Sequence, residues 1–207
     1  MAPLHPRLTE RVEQLLARGG RVLGITGAPG AGKSTLAAAV VAHFGRRAAL
    51  LPMDGFHLAN EELARLGIAD HKGAPDTFDV EGYIAALRRV AAREHDVLIP
   101  RFHRDLEEAF AGAIRIATAV ELVVTEGNYL LLREGRWAAV ADVLDESWML
   151  HPDDDVRRER LVGRHMEHGR SAAAAQQWVL AVDEPNARRI ATESLPADLV
   201  IDPDDLY

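Results

Sequence analysis

The chain predicts an α/β fold: a parallel sheet flanked by helices, with a small helical lid. Three features lead there. Short apolar runs alternate with helical stretches along the chain, and strands that share a direction need such crossovers. A glycine-rich turn joins one buried strand directly to a helix. Two other apolar strands run straight into a carboxylate, at Asp54 and at Glu126.

The elements follow in order. An amphipathic opening helix (Leu4, Leu8, Val12, Leu15, Leu16) stops near Gly19 and Gly20, because glycine ends helices. Residues 21–26 (RVLGIT) read as a buried strand, 27–32 as the turn and 33–44 as an alanine-rich helix. Residues 48–52 form a second strand, and 58–78 are mixed. Asp79 caps a helix that runs to about Arg93. Strands are expected at 97–100 and 113–117, in hairpin fashion, and at 121–125 (ELVVT). Residues 137–144 read as helix, 147–150 as strand and 153–168 as an arginine-rich helix. Ser171 caps a helix reaching Asp183, a further helical stretch follows Pro185, and 199–201 form a late strand.

Length and composition set bounds. The 207 residues suit one domain over 1–207, with the lid at about 160–175. A net charge of −8 disfavours general nucleic-acid or anionic-membrane binding, which need a basic footprint. No apolar run reaches the ~20 residues of a membrane span. The absence of cysteine excludes disulfides and thiolate chemistry. These features, with an N-terminus lacking a signal-peptide core, point to a cytoplasmic protein. Lys33 and Lys72 are the only lysines among 24 basic residues.

The turn Gly27, Ala28, Pro29, Gly30, Ala31, Gly32, Lys33, Ser34 matches G-x-x-x-x-G-K-[ST]. Small residues let backbone N–H groups curl around phosphate oxygens, and the following helix points its positive end at them. Lys33 can reach the β- and γ-phosphates of ATP, Ser34 can ligate Mg²⁺, and Thr35 can assist at the α-phosphate. No N-K-x-D base-reading motif follows, so a GTPase is disfavoured. Asp54, at a strand end, can take the proton of an attacking hydroxyl or simply serve the turn with Gly55. Glu126 holds the corresponding position after ELVVT, where a carboxylate binds Mg²⁺ or meets a helix N-terminus.

Six segments carry a family resemblance: GAPGAGKST at 27–35, PMDGFH at 52–57, KGAPDTFD at 72–79, EGNYL at 126–130, RLVGRHMEHGR at 160–170 and DEPNA at 183–187. Together they resemble the P-loop NTPase-fold kinases of the uridine kinase, phosphoribulokinase and bacterial pantothenate kinase superfamily, nearest its small fructose-transport-associated or nucleoside kinase-like members. The resemblance implies an ATP- and Mg²⁺-dependent kinase acting on a small-molecule hydroxyl. It assigns Asp54 as base or metal neighbour, Glu126 to the metal, and Arg160 and Arg164 to the lid over the transferred phosphate. It also sets Phe102 where uridine kinases place an aromatic near the acceptor base. One departure shifts the acceptor. The aspartate that holds a ribose diol in uridine kinases, three residues before Asp76, is Gly73 here. A sugar, fructose-like, or pantothenate-like acceptor is therefore preferred to a nucleoside. The alternative from another class is a nucleotide-driven regulatory switch. A second departure is His103, where an aspartate is expected.

His57, Lys72, Asp76, Phe102 and Arg104 complete the acceptor-side candidates. His57 can touch the acceptor or serve structurally, and Lys72 can bind an anionic or polyol group or face solvent. Arg157, Arg160 and Arg164 share one helical face. Arg157 and Arg158 read as a solvated face paired with nearby acids, and His165 as a surface histidine. Trp137, Trp148 and Trp178 read as packing residues. Oligomeric state is open, with a homodimer among the options.

Overall fold

The computed structural model describes residues 4–202; positions 1–3 and 203–207 of the predicted domain lie outside them. In chain order the elements are α1 (Pro6–Ala17), β1 (Val22–Gly27), α2 (Lys33–Phe44), β2 (Ala48–Pro52), α3 (Asn60–Leu66), α4 (Val80–Ala92), β3 (Val97–His103), β4 (Glu108–Ile116), β5 (Leu122–Glu126), β6 (Glu146–Leu150), α5 (Asp154–Glu167), α6 (Ala172–Trp178), α7 (Glu184–Glu193) and β7 (Leu199–Ile201). Five strands form one sheet in the order β2-β5-β1-β6-β7, and every neighbouring pair is parallel. β3 and β4 make a separate antiparallel hairpin.

The central strands β1 and β5 are buried along their whole length because both faces of the sheet are covered. Their side chains alternate between two cores. Val22 and Val123 join Tyr83, Leu87 and Val90 of α4 and Val97 and Ile99 of the hairpin. Leu23, Ile25, Leu122 and Val124 join Val12 and Leu15 of α1 and Leu36 and Val40 of α2. Buried Glu146 ties α1 to the sheet: it accepts from Arg11, from Arg18 Nη2 at 2.6 Å and from Trp148 Nε1 at 2.8 Å.

Helix starts follow local chemistry. Asp79 caps α4 by accepting from the Gly82 amide at 2.9 Å. Asp153 caps α5 through the amides of Asp155 and Val156, and Ser171 caps α6 through that of Ala174. Each side-chain oxygen satisfies an amide with no partner inside its helix.

Two segments differ from expectation. Residues 137–144 are not an α-helix but two 3₁₀ turns, Gly135–Ala139 and Ala141–Val143. The Trp137 indole is pinned to the Pro75 carbonyl at 2.9 Å, and the Asp145 carboxylate to the amides of Arg21 and Val22 at 2.7 and 2.8 Å. The short span between these anchors is bridged by 3₁₀ geometry, which rises about 2.0 Å per residue against about 1.5 Å for α. The second difference lies at Val179–Asp183, a π-helical turn that fuses α6 to α7. Pro185 lacks an N–H and its ring crowds the preceding turn, and the wider π turn relieves both. Among the described residues no helix is long and apolar enough to cross a membrane.

Candidate active site

Three strand ends lie side by side: Glu126 at the end of β5 is in register with Ile25 of β1 and Pro52 of β2. Past β1 the chain enters the phosphate loop. Gly32, at φ 94°, adopts a left-handed conformation that side chains resist, and it turns the loop into α2. Lys33 folds back into the loop with 8% exposure, and its Nζ donates to the carbonyls of Gly27 at 3.0 Å and Ala28 at 2.9 Å. Burial lowers the Lys33 ammonium to about 8, against the opposing pull of Glu126 and Asp54. Pro29, Gly30 and Ser34 line the cleft beside it, Thr35 is exposed in the first turn of α2, and Ala31 is buried beneath.

Arg157 is a correction. It is not on a solvated face. It is 2% exposed, pairs with Glu184 of α7 and with Asp154, and donates to the Pro29 carbonyl at 3.4 Å. It therefore fastens α5 and α7 to the loop. Gly30 permits this approach, since a Cβ there would lie 2.8 Å from both Arg157 O and Leu161 Cγ.

The acidic strand tips converge on the loop. Ser34 Oγ donates to Glu126 Oε2 at 3.1 Å. Burial, reinforced by the Asp54 charge, raises the Glu126 carboxyl above its usual range. Asp54 Oδ2 accepts from Arg104 Nη2 at 2.9 Å. Close backbone packing explains both acid–glycine pairs. A Cβ on Gly55 would lie 2.5 Å from Pro100 O, and one on Gly127 would lie 2.6 Å from Met53 Cβ. The hairpin and the Asp54 turn can thus stack tightly over the end of β5.

Ser34 and Glu126 present hard oxygen donors next to a loop shaped for phosphate. That chemistry fits Mg²⁺, which takes one or two protein oxygens and completes its shell with phosphate and water. The loop amides and Lys33 fit a nucleoside triphosphate.

On the acceptor side, His57 donates from Nδ1 to the Asp54 carbonyl at 2.8 Å. Its ring packs between Phe78 and Phe102, with centroids at 4.1 and 4.7 Å, and burial lowers its pKa. Lys72 Nζ donates to Asn60 Oδ1 at 2.6 Å and to the Glu107 carbonyl, and lies 5.2 Å from the Phe102 ring centroid. Gly73 has φ 103°, and a Cβ there would meet nothing within 4 Å. Asp76 is not with this group. It bonds His71 at 3.2 Å and lines a second cavity of about 780 Å³, because the turn at Gly73 sends the following residues the other way. His103 packs edge-on against Phe110 at 5.1 Å.

The arginine helix closes the cleft. Arg164 lines it, and burial, with the nearby Arg104 charge, lowers its pKa. Arg160 is exposed. Its Nη1 lies 4.0 Å from a Cβ built on Gly32, beside the loop rather than within the cleft. His165 is not a free surface histidine: its Nε2 meets Asp183 Oδ2 at 2.9 Å. Trp178 lines the cleft instead of the core, with Arg170 stacked 3.9 Å from its centroid. Asp183, Asn186 and Asn128 also line the cleft and were not among the candidates. The DEPNA and EGNYL segments were the available signals. The whole cleft measures about 990 Å³, at the upper end of small-molecule sites.

A phosphate loop alone would suit a GTPase as well as a kinase. The fold and relatives place the chain among the P-loop kinases. It belongs to the P-loop kinase superfamily that includes uridine kinase and pantothenate kinase. YggC of Escherichia coli is 34% identical over 152 residues, covering 73% of this chain and 62% of YggC. A candidate uridine kinase of Schizosaccharomyces pombe is 30% identical over 176 residues, covering 80% of this chain and 75% of that protein. The crystal structure of a candidate fructose transport system kinase from Silicibacter sp. TM1040 superposes with a TM-score of 0.84 at 36% identity, covering 94% of this chain and 98% of that one. The family model for the methylmalonyl-CoA mutase-associated GTPase MeaB matches residues 3–55, a stretch that spans the phosphate loop.

Proposed function

We propose that the protein transfers the γ-phosphate of ATP, with Mg²⁺, to a hydroxyl of a small polar metabolite, with a sugar or pantothenate-like acceptor preferred. The observation that carries this is the Asp54 carboxylate, which opens into the cleft that also holds the Lys33 ammonium and the Ser34–Glu126 pair. Asp54 receives the proton as the acceptor oxygen bonds the γ-phosphorus. The bond to the β–γ bridging oxygen breaks, and its electron pair leaves with the nucleoside diphosphate. Lys33, Arg164 and, from beside the loop, Arg160 offset the charge on the phosphoryl oxygens. Bound Mg²⁺, held by Ser34 and Glu126, supplies further charge neutralisation.

Resemblance to a candidate fructose transport system kinase over nearly the whole chain supports the sugar reading. Phe102, an aromatic in the cleft, favours a nucleoside as the second reading, and the candidate uridine kinase among the relatives supports it. Against it, the Phe102 ring already carries Lys72 and packs on His57, and Gly73 offers no carboxylate for a ribose diol. The test is coupled ADP release with MgATP over fructose, other sugars, pantothenate, uridine and cytidine. Exclusive uridine turnover would reverse the preference. ADP release independent of every acceptor would favour the switch.

A further inference from the structure

The Arg104–Asp54 ion pair sits where the acceptor hydroxyl must arrive. Arg104 lies just past the end of β3 with its side chain 47% exposed, and it reaches the Asp54 carboxylate, itself 32% exposed, at 2.9 Å. Among the described residues this is the one side-chain hydrogen bond that Asp54 takes. A carboxylate held by a guanidinium is a poorer proton acceptor, since accepting a proton forfeits a charge-assisted bond. A neutral alcohol gives Arg104 no partner that competes with Asp54. A carboxylate on the acceptor does, because the guanidinium fork matches either carboxylate equally well.

We propose that the acceptor is a small hydroxy carboxylic acid of the sugar-acid type, whose carboxylate takes Arg104 from Asp54 and so frees the base for the neighbouring hydroxyl. This rests on the reading of Asp54 as the base, and it puts the acid form of a sugar in place of the neutral-sugar and pantothenate-like acceptors given above. The two residues are in direct contact, so the hydroxyl and carboxylate of the acceptor lie close together, as in a 2- or 3-hydroxy acid. Lys33 and Arg164 also line the cleft, but of its cations Arg104 is the one hydrogen-bonded to Asp54. Lys72 is already committed to Asn60 and to the Glu107 carbonyl, and Arg170 lies against Trp178 in the lid. Asp105 and Glu107 line the same wall and would repel a carboxylate placed anywhere but on a cation. The open space at Gly73 leaves room for the rest of a polyol chain. In the step itself the acceptor oxygen bonds phosphorus, the bridging oxygen leaves with ADP, and the hydroxyl proton goes to Asp54. Arg104 stays on the acceptor carboxylate throughout.

The experiment uses matched pairs in which a neutral alcohol replaces the acid group: D-glycerate against glycerol, gluconate against glucitol, and pantothenate against its alcohol, panthenol. ADP release is measured for the full chain, for Arg104→Gln and for Arg104→Lys, with folding checked by thermal melts. The expected result is a kcat/KM for glycerate or gluconate about 10- to 100-fold above its neutral partner. Arg104→Gln should raise the KM for the acid and bring that ratio toward one, and Arg104→Lys should restore part of it. Pantothenate, whose carboxylate is remote from its primary hydroxyl, should show no such dependence on Arg104. Robust turnover of a neutral sugar with the acid ratio near one, or an acid preference untouched in Arg104→Gln, would overturn the proposal while leaving the kinase reading intact. If no acceptor raised ADP release above the acceptor-free rate, both would fall together.

Discussion

Lys33 is an ammonium held by two carbonyl dipoles and little water, and burial has drawn its pKa to about 8. Ligand-free, the loop stores a charge that a triphosphate would neutralise, so function and stability oppose each other at this residue. Lys33→Met keeps the aliphatic stem and removes the charge. It should melt a few degrees higher than wild type without ligand, while ADP release falls by about 1,000-fold. Scanning calorimetry and the coupled assay check the two halves, and a variant with wild-type turnover would remove Lys33 from the mechanism. His57 gives a pH signature of its own. Burial holds it below the ordinary 6.5, so between its folded value and 6.5 the unfolded chain binds more protons than the folded one. Stability from this group is full above pH 6.5 and is lost as the pH falls through the folded value. The melting temperature should drop on acidification below 6.5, and His57→Asn should flatten that slope even if its absolute stability is lower.

At the scale of elements, the join between α5, α7 and the phosphate loop depends on one buried ion pair. Arg157, fully inside, meets Glu184 from 27 positions away and reaches the Pro29 carbonyl. Glu184→Ala would leave the guanidinium buried with only exposed Asp154 and one carbonyl, and should cost about 3–5 kcal/mol. Replacing the pair together, Arg157→Met with Glu184→Leu, should recover most of that loss in urea titrations, because a buried pair adds little over well-packed apolar groups. This join also marks how far the sequence could be read. The strand–loop–helix unit, the caps at Asp79 and Ser171, and the acidic tips Asp54 and Glu126 are legible because each rests on chemistry within a few residues. In sequence Arg157 and His165 look solvated, because their partners, Glu184 and Asp183, are delivered by a π turn that no local pattern announces. Its segment groups Asp76 with the cleft, yet a single positive φ at Gly73 turns it into the next cavity.

Across the whole molecule, the cleft is walled by parts of unequal firmness. Its floor is the parallel sheet, whose central strands are buried on both faces. Its two sides are the α5–α6 segment, exposed from Met166 to Ala174, and the hairpin turn at 104–107, also exposed. Elements with few buried apolar contacts open at low free energy, and ligand closure draws on such elements. On the proposed mechanism the sides serve different ligands: Arg164 of α5 meets the transferred phosphate, whereas Arg104 faces Asp54. Hydrogen exchange should therefore respond in two stages. A non-hydrolysable ATP analogue with Mg²⁺ should slow amides across about 160–175 and in the phosphate loop, and leave 104–107 near its free rate. Adding a productive acceptor should then slow 104–107, while β1 and β5 stay protected throughout. If both sides slowed together on nucleotide alone, the hairpin would belong to nucleotide closure rather than to acceptor capture. Arg104 would then have to be moved from the acceptor site to the phosphate site.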